Sequence, residues 1–212
     1  MIRVRKTQIE PAELRKEGYG CDAVCKAVMA DQDEKCYLCE RKLVTDFQVE
    51  HLKSQNNWPD EANEWENLFI ACGYCNPKKS DSFDDICNPE KTDIELDLSH
   101  KVNFNENKAE FTTKVSDQAH HKTIALLQRL YNGVNPRMRK YREERFWNAF
   151  IQQINHFQDA IDRYMENGDN ETEIRQMLDK KAENLGFKYS ILAEIPRLMS
   201  KFKDSVKWNR TH

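Results

Sequence analysis

Two C-x-x-C pairs, Cys36-Tyr37-Leu38-Cys39 and Cys72-Gly73-Tyr74-Cys75, constrain this chain more than any other feature. Two thiolates spaced this way on a tight knuckle supply half of a tetrahedral metal site, and a second knuckle completes four-sulfur coordination. Between Cys39 and Cys72 lie 32 residues, more than the roughly 15–20 of the simplest zinc ribbons. The site must therefore enclose an inserted element. A four-sulfur site leaves no open position for water or substrate, so the Zn²⁺ it implies is structural. Cys21, Cys25 and Cys87 show no such spacing. Cys21 and Cys25, four apart in a predicted helix, are expected in the core, where free cysteine buries readily.

The N-terminal stretch has charge but lacks the apolar centre of a secretory signal, and no apolar run nears the roughly 18–20 residues of a membrane span. Seven cysteines then read as reduced thiols and zinc ligands in a cytoplasmic protein, with no membrane role. The formal net charge is −3. Binding to phosphate must come from local patches or from a partner, because bulk electrostatics do not favour it.

Short helices are expected over Pro11–Glu17 and Asp22–Met29. The β-rich runs Leu43–Val44 and Phe47–Val49 predict a hairpin with the first knuckle at one end. Residues 52–66 read as a long structured loop, Leu68–Ala71 as an apolar run leading into the second C-x-x-C, and Asn76–Ser80 as a helix. The acidic stretch 81–97 reads as a connector, and Leu96–Phe104 with Ala109–Thr113 as a second hairpin. Helices follow. One runs from a Ser116 or Asp117 cap to Tyr131, and the next from Pro136, in its first turn, to Asn167. A third begins at an Asn170–Glu173 capping box, runs through Leu185 and ends at Gly186. The last covers about 188–205 and is disturbed near Pro196. The fold class is α+β and mainly helical. Two regions are expected, 1–115 with the zinc-stabilised motif at 36–79, and 116–212, a helical region for assembly or partner binding. Its large apolar residues, including Trp147, Phe150, Phe157, Phe187, Phe202 and Trp208, are expected to exceed what a small helical core buries and to leave a surface for a partner or a second copy. The basic run Arg137–Arg145 could meet nucleic acid or an acidic partner, or be a solvated helix face.

Inside the insert lie Val49-Glu50-His51-Leu52, then Asn67-Leu68, then Cys72 to Lys79 (CGYCNPKK). Hydrolysis of a phosphodiester needs an activated water and a cation for the extra negative charge. Histidine has the pKa of a base near neutral pH, and His51 is the one histidine of the motif. The ordered set resembles the HNH (ββα-metal) nucleases, whose cysteine-bearing members place an acidic-His pair at a strand end, an Asn-Leu after a loop, and a C-x-x-C followed by His or Asn and a Lys. The resemblance implies a ββα-metal motif in which His51 is the general base and Glu50 and Asn76 are ligands of a catalytic Mg²⁺ or Mn²⁺. It implies that Asn67 either ligates that metal or orients the base. Lys79 and Lys53 are expected to touch phosphate. Two departures stand out. Asn76 replaces the usual last His, and Ser54 stands where the family often has proline.

The lead-in, the motif position, an Asn88-Pro89-Glu90 step and the helical C-terminal half are similar to the HNH subunits of retron-associated and Septu-type anti-phage systems, the PtuB-like proteins. That resemblance implies a DNA endonuclease, with RNA left open, working with a PtuA-like ABC-type ATPase. The competing reading is a zinc-binding adaptor or scaffold without catalysis, which leaves Glu50, His51, Asn67 and Asn76 as coincidence.

Overall fold

The computed structural model describes residues 1–6 and 9–206; Trp208 lies outside them. Helix α1 covers Leu14–Glu17 and α2 Asp22–Asp31, followed by strands β1, Phe47–His51, and β2, Leu68–Cys72, and by helix α3, Asn76–Lys79. Helix α4 spans Ile94–Asp97, and strands β3 and β4 span Leu98–Asn103 and Lys108–Thr113. The chain finishes in helices α5 to α9, at Gln118–Asn132, Tyr141–Asn167, Glu171–Met177, Leu185–Glu194 and Pro196–Phe202. The fold is thus mainly helical, with two small antiparallel sheets, as the α+β reading expects. No described helix is long and apolar enough to cross a membrane.

The first sheet differs from expectation. The strand Phe47–His51 pairs across the whole insert with Leu68–Cys72, in the register Phe47↔Cys72 to His51↔Leu68. Residues 43–44 form no hairpin with it. The knuckle consumes its own flanks instead: Lys35 bridges Lys42, the Cys36 N–H donates to the Arg41 carbonyl at 3.0 Å, and the Leu43 N–H donates to Glu34. The outer edge of β2 is capped by a side chain. Gln32 donates to the Ile70 carbonyl at 2.9 Å and accepts from the Ile70 N–H at 2.7 Å, so the buried strand leaves few polar groups unmet.

The helical half also departs from its sequence signals. Asp117 caps α5, accepting from the His120 N–H at 2.8 Å. Pro136 lies outside any helix; α6 starts at Tyr141, where Glu143 accepts from the Lys140 N–H at 3.1 Å. Asn170 makes no side-chain cap and adopts a left-handed φ of 70°. The expected helix to Leu185 stops at Met177, and Gly186, read as its end, sits in the first turn of α8. There the glycine serves packing: a Cβ would lie 3.0 Å from both Glu40 Oε1 and His100 Nε2. Pro196 opens α9 after a break at Ile195.

The apolar core does not divide at residues 115 and 116. One cluster runs from Met1 through both knuckles, β2, α5 and the first half of α6 to Phe187, and a second joins Phe157 and Ile161 to Ile174, Leu192, Leu198 and Phe202. Tyr131 is the hinge between helices and knuckle, with Phe111, Phe146, Phe150 and Phe187 rings at 4.8–5.5 Å and its hydroxyl donating to the Cys39 carbonyl at 3.3 Å. Trp147, Phe150, Phe157, Phe187 and Phe202 are all buried. The apolar surplus expected of them is absorbed by these two cores, because the helices pack on the motif region as well as on one another.

Candidate active site and sulfur cluster

The two knuckles bring Cys36, Cys39, Cys72 and Cys75 together, all buried, with their sulfurs within 4.8 Å of one another. Cys39 Sγ and Cys72 Sγ are 3.9 Å apart, against about 3.8 Å for two corners of a tetrahedron with zinc–sulfur bonds of about 2.3 Å. The donor set and spacing fit that ion. Contact with Cys36 and Cys72 drives the Cys39 thiol up, burial drives Cys75 up, and donation from Cys36, Cys39 and Cys75 drives Cys72 far down. Cys21 is half-buried against the core and Cys87 is buried.

The insert enclosed by the knuckles carries a cleft of about 270 Å³, lined by Tyr19, Glu50, His51, Gln55, Asn76 and Asp81 among others. Neighbours on a strand point to opposite faces, yet Glu50 and His51 both reach this cleft, because β1 ends at His51. The His51 Nε2 lies 2.9 Å from the Ala62 carbonyl. A carbonyl only accepts, so Nε2 holds the ring proton and Nδ1 keeps the lone pair. Burial pushes the His51 pKa down, against the pull of the Ala62 carbonyl, which keeps the ring neutral at pH 7. Tyr19 packs edge-on to the imidazole at 4.5 Å.

Asn67 is buried and spends its amide on the loop backbone. It accepts from the Lys53 N–H at 2.7 Å and donates to the Lys53 and Glu61 carbonyls at 3.0 Å each. These bonds hold the loop whose Ala62 carbonyl contacts His51.

Asn76, at the start of α3, donates to Gln48 Oε1 at 2.7 Å and lines the cleft with Glu50. One carboxylate and one amide oxygen are hard donors that suit Mg²⁺ or Mn²⁺, which complete their shells with water and phosphate oxygens. The Glu50 carboxylate is not idle. Lys79 Nζ pairs with one oxygen at 2.9 Å, and the Tyr37 hydroxyl donates to the other at 2.5 Å. Burial pushes the Glu50 carboxyl up, opposed by Lys79 and Tyr37.

Lys79 corrects the sequence expectation. It is fully buried, and its ammonium also donates to the His51 carbonyl at 2.9 Å, so it braces the end of β1 and the Glu50 carboxylate and is shielded from phosphate. Lys53 pairs with Glu61 at 2.7 Å and lies over the Trp58 ring at 4.4 Å, at the rim. Replacing Lys79 with Met should destabilise the protein by about 3–5 kcal/mol, because a buried carboxylate is left unpaired. Denaturant unfolding of the two proteins checks this, and a loss under 1 kcal/mol would mean that Glu50 finds other company.

Several members of the site gave no sequence signal. Tyr37 sits inside the first C-x-x-C, where the cysteines claim attention. Asp84 comes from the acidic connector and explains the missing proline: Ser54 donates to it twice, from N–H at 2.9 Å and from hydroxyl at 2.8 Å, and proline has no N–H to give. Burial works to raise the Asp84 carboxyl, but donation from Ser54 and Asn57 outweighs it and leaves the pKa low.

Among curated proteins none matches this chain. The segment holding the four sulfurs, the paired strands and α3, residues 36–82, matches the family model of the HNH endonucleases.

Proposed function

We propose that this protein is a metal-dependent endonuclease that hydrolyses phosphodiester bonds in DNA. The observation that carries the reading is the convergence of Glu50, His51 and Asn76 on one open cleft, inside a segment that matches the HNH family. An adaptor built on zinc alone has no use for a neutral imidazole beside a buried carboxylate.

In this reading the His51 Nδ1 takes a proton from water as the water oxygen bonds to phosphorus. The bond from phosphorus to the leaving ester oxygen breaks, and that oxygen is protonated by solvent. Nε2 stays fixed on Ala62, so the imidazolium forms without turning. Glu50 and Asn76 would hold Mg²⁺ or Mn²⁺, which when bound supplies charge neutralisation at the leaving and non-bridging oxygens. Asn67 and Lys79 position the loop and the strand end. Zinc in the four-sulfur site takes no part in the reaction.

The finer reading is a nuclease subunit of an anti-phage complex with an ABC-type ATPase, similar to the PtuB-like proteins. It rests on the resemblance of chain layout alone.

Supercoiled plasmid incubated with the purified protein and Mg²⁺ or Mn²⁺ should be converted to nicked and linear forms, and EDTA should stop the conversion. Intact plasmid in every divalent metal, from zinc-loaded folded protein, would favour the adaptor.

A further inference from the structure

The basic run at the start of α6 lies outside the cleft, yet it is tied to it. Lys78 of α3, two residues after Asn76, pairs with Glu143 in the first turn of α6 at 2.6 Å, and the Tyr74 and Phe146 rings stack at 4.4 Å. The segment just before α6 is held rigid from below. Arg139 lies over the Trp147 ring at 4.0 Å and donates to the Pro136 and Asn107 carbonyls at 2.7 Å each.

Outward from this brace, Arg137, Lys140, Arg142 and Arg145 are all exposed. Among the described residues no carboxylate lies within ion-pair distance of any of them; Glu143, the nearest acid on the inner side, is spent on Lys78 and the Lys140 N–H. Glu144 is the one exposed carboxylate in the same stretch. Beside the cations stand exposed apolar groups: Val134 is 96 % exposed, Met138 78 % and Tyr141 75 %. On α6, Tyr141 and Arg145 are neighbours at i, i+4, and Arg142 and Arg145 at i, i+3.

We infer that this surface is a docking track for the duplex DNA flanking the scissile phosphate, the arginines on phosphates and the apolar side chains against sugars. The inference rests on the nuclease reading above. Unpaired exposed cations complement a polyanion, and the Lys78–Glu143 pair fixes the start of α6 to α3, whose first residue, Asn76, lines the cleft. A chain of net charge −3 has no general attraction for DNA, so a local patch beside the cleft is what such a substrate requires.

The test compares Arg142→Gln/Arg145→Gln with the parent, both carrying His51→Ala so that bound DNA stays uncut. Affinity for a duplex of fixed sequence is measured between roughly 50 and 200 mM KCl. Each lost phosphate contact should flatten the slope of log K against log salt by about 0.9, so the double variant should fall by about 1.8. Affinity at the lowest salt should drop about 10-fold or more. With His51 intact, hydrolysis of bis(p-nitrophenyl) phosphate, too small to reach the track, should be unchanged. Arg137→Gln, a single change outside any helix, should lower the slope by about 0.9 and serves if the double variant fails to fold. Unchanged slopes in folded variants of a protein that cuts DNA would overturn the track and leave the nuclease reading standing. A wild-type protein that hydrolyses neither substrate would overturn the nuclease reading and the track with it.

Discussion

Replacing Cys36 with Ser, or stripping the bound ion with a strong chelator, should unfold the chain as a whole. The reason is where the sulfurs sit. Cys36, Cys39, Cys72 and Cys75 belong to the same core as α2, β2, α5 and the first half of α6, and Tyr131 reaches across to donate to the Cys39 carbonyl. A structural zinc contributes on the order of 10 kcal/mol to folding, against a total stability of about 5–15 kcal/mol for an ordinary domain. Without the ion, thiols packed within 4.8 Å either repel one another as thiolates or stay protonated with their attraction for metal lost. Elemental analysis should find about one zinc per chain, retained when Mg²⁺ is removed. Circular dichroism should show helix lost with the zinc, including the signal from α5 and α6. A folded, zinc-free protein with an unchanged melting temperature would remove the claim.

His51→Ala should lower cleavage by about 10²–10⁴-fold, the usual cost of a lost general base, with zinc content and melting temperature close to wild type. Burial depresses the His51 pKa below its ordinary value of 6.5, so the ring is neutral and competent at pH 7 and above. Activity should fall as pH drops through that lowered pKa, and the acid limb of the wild-type profile should lie below pH 6.5. In the variant that limb should vanish, because the group responsible is gone. Cleavage at the wild-type rate by the variant, or an acid limb well above pH 6.5, would sink the assignment of the base.

Asn67→Ala separates holding from reacting. Its three bonds all go to the loop backbone, so the variant acts on His51 only through the position of Ala62.

Much of the site was legible in the residues themselves. The four cysteines announce their meeting because two C-x-x-C knuckles have few other ways to satisfy a metal, and Glu50-His51, Asn67 and Asn76 stand in the order of a known motif. Helices α2, α5 and most of α6 follow from caps and apolar spacing, and β3–β4 from two β-rich runs around a turn. These signals are local: each depends on residues within a few positions of one another.

What the tertiary structure decided is long-range. The partner of β1 is β2, across the 16 residues from 52 to 67, and not the adjacent run at 43–44, because the knuckle's own hydrogen bonds claim that stretch. Lys79 reads as an exposed cation in sequence and becomes a buried counter-ion once α3 folds over the end of β1. Gly186 reads as a helix stop, yet its small size is needed for α8 to approach Glu40 and His100. Of the large apolar residues of the helical half, Trp147, Phe150 and Phe187 go into the motif's own core, while Phe157 and Phe202 join a second core among the helices. Spacing along the chain reports which residues can share a face or a metal; which face is covered, and by what, is settled only when distant segments compete for the same buried space.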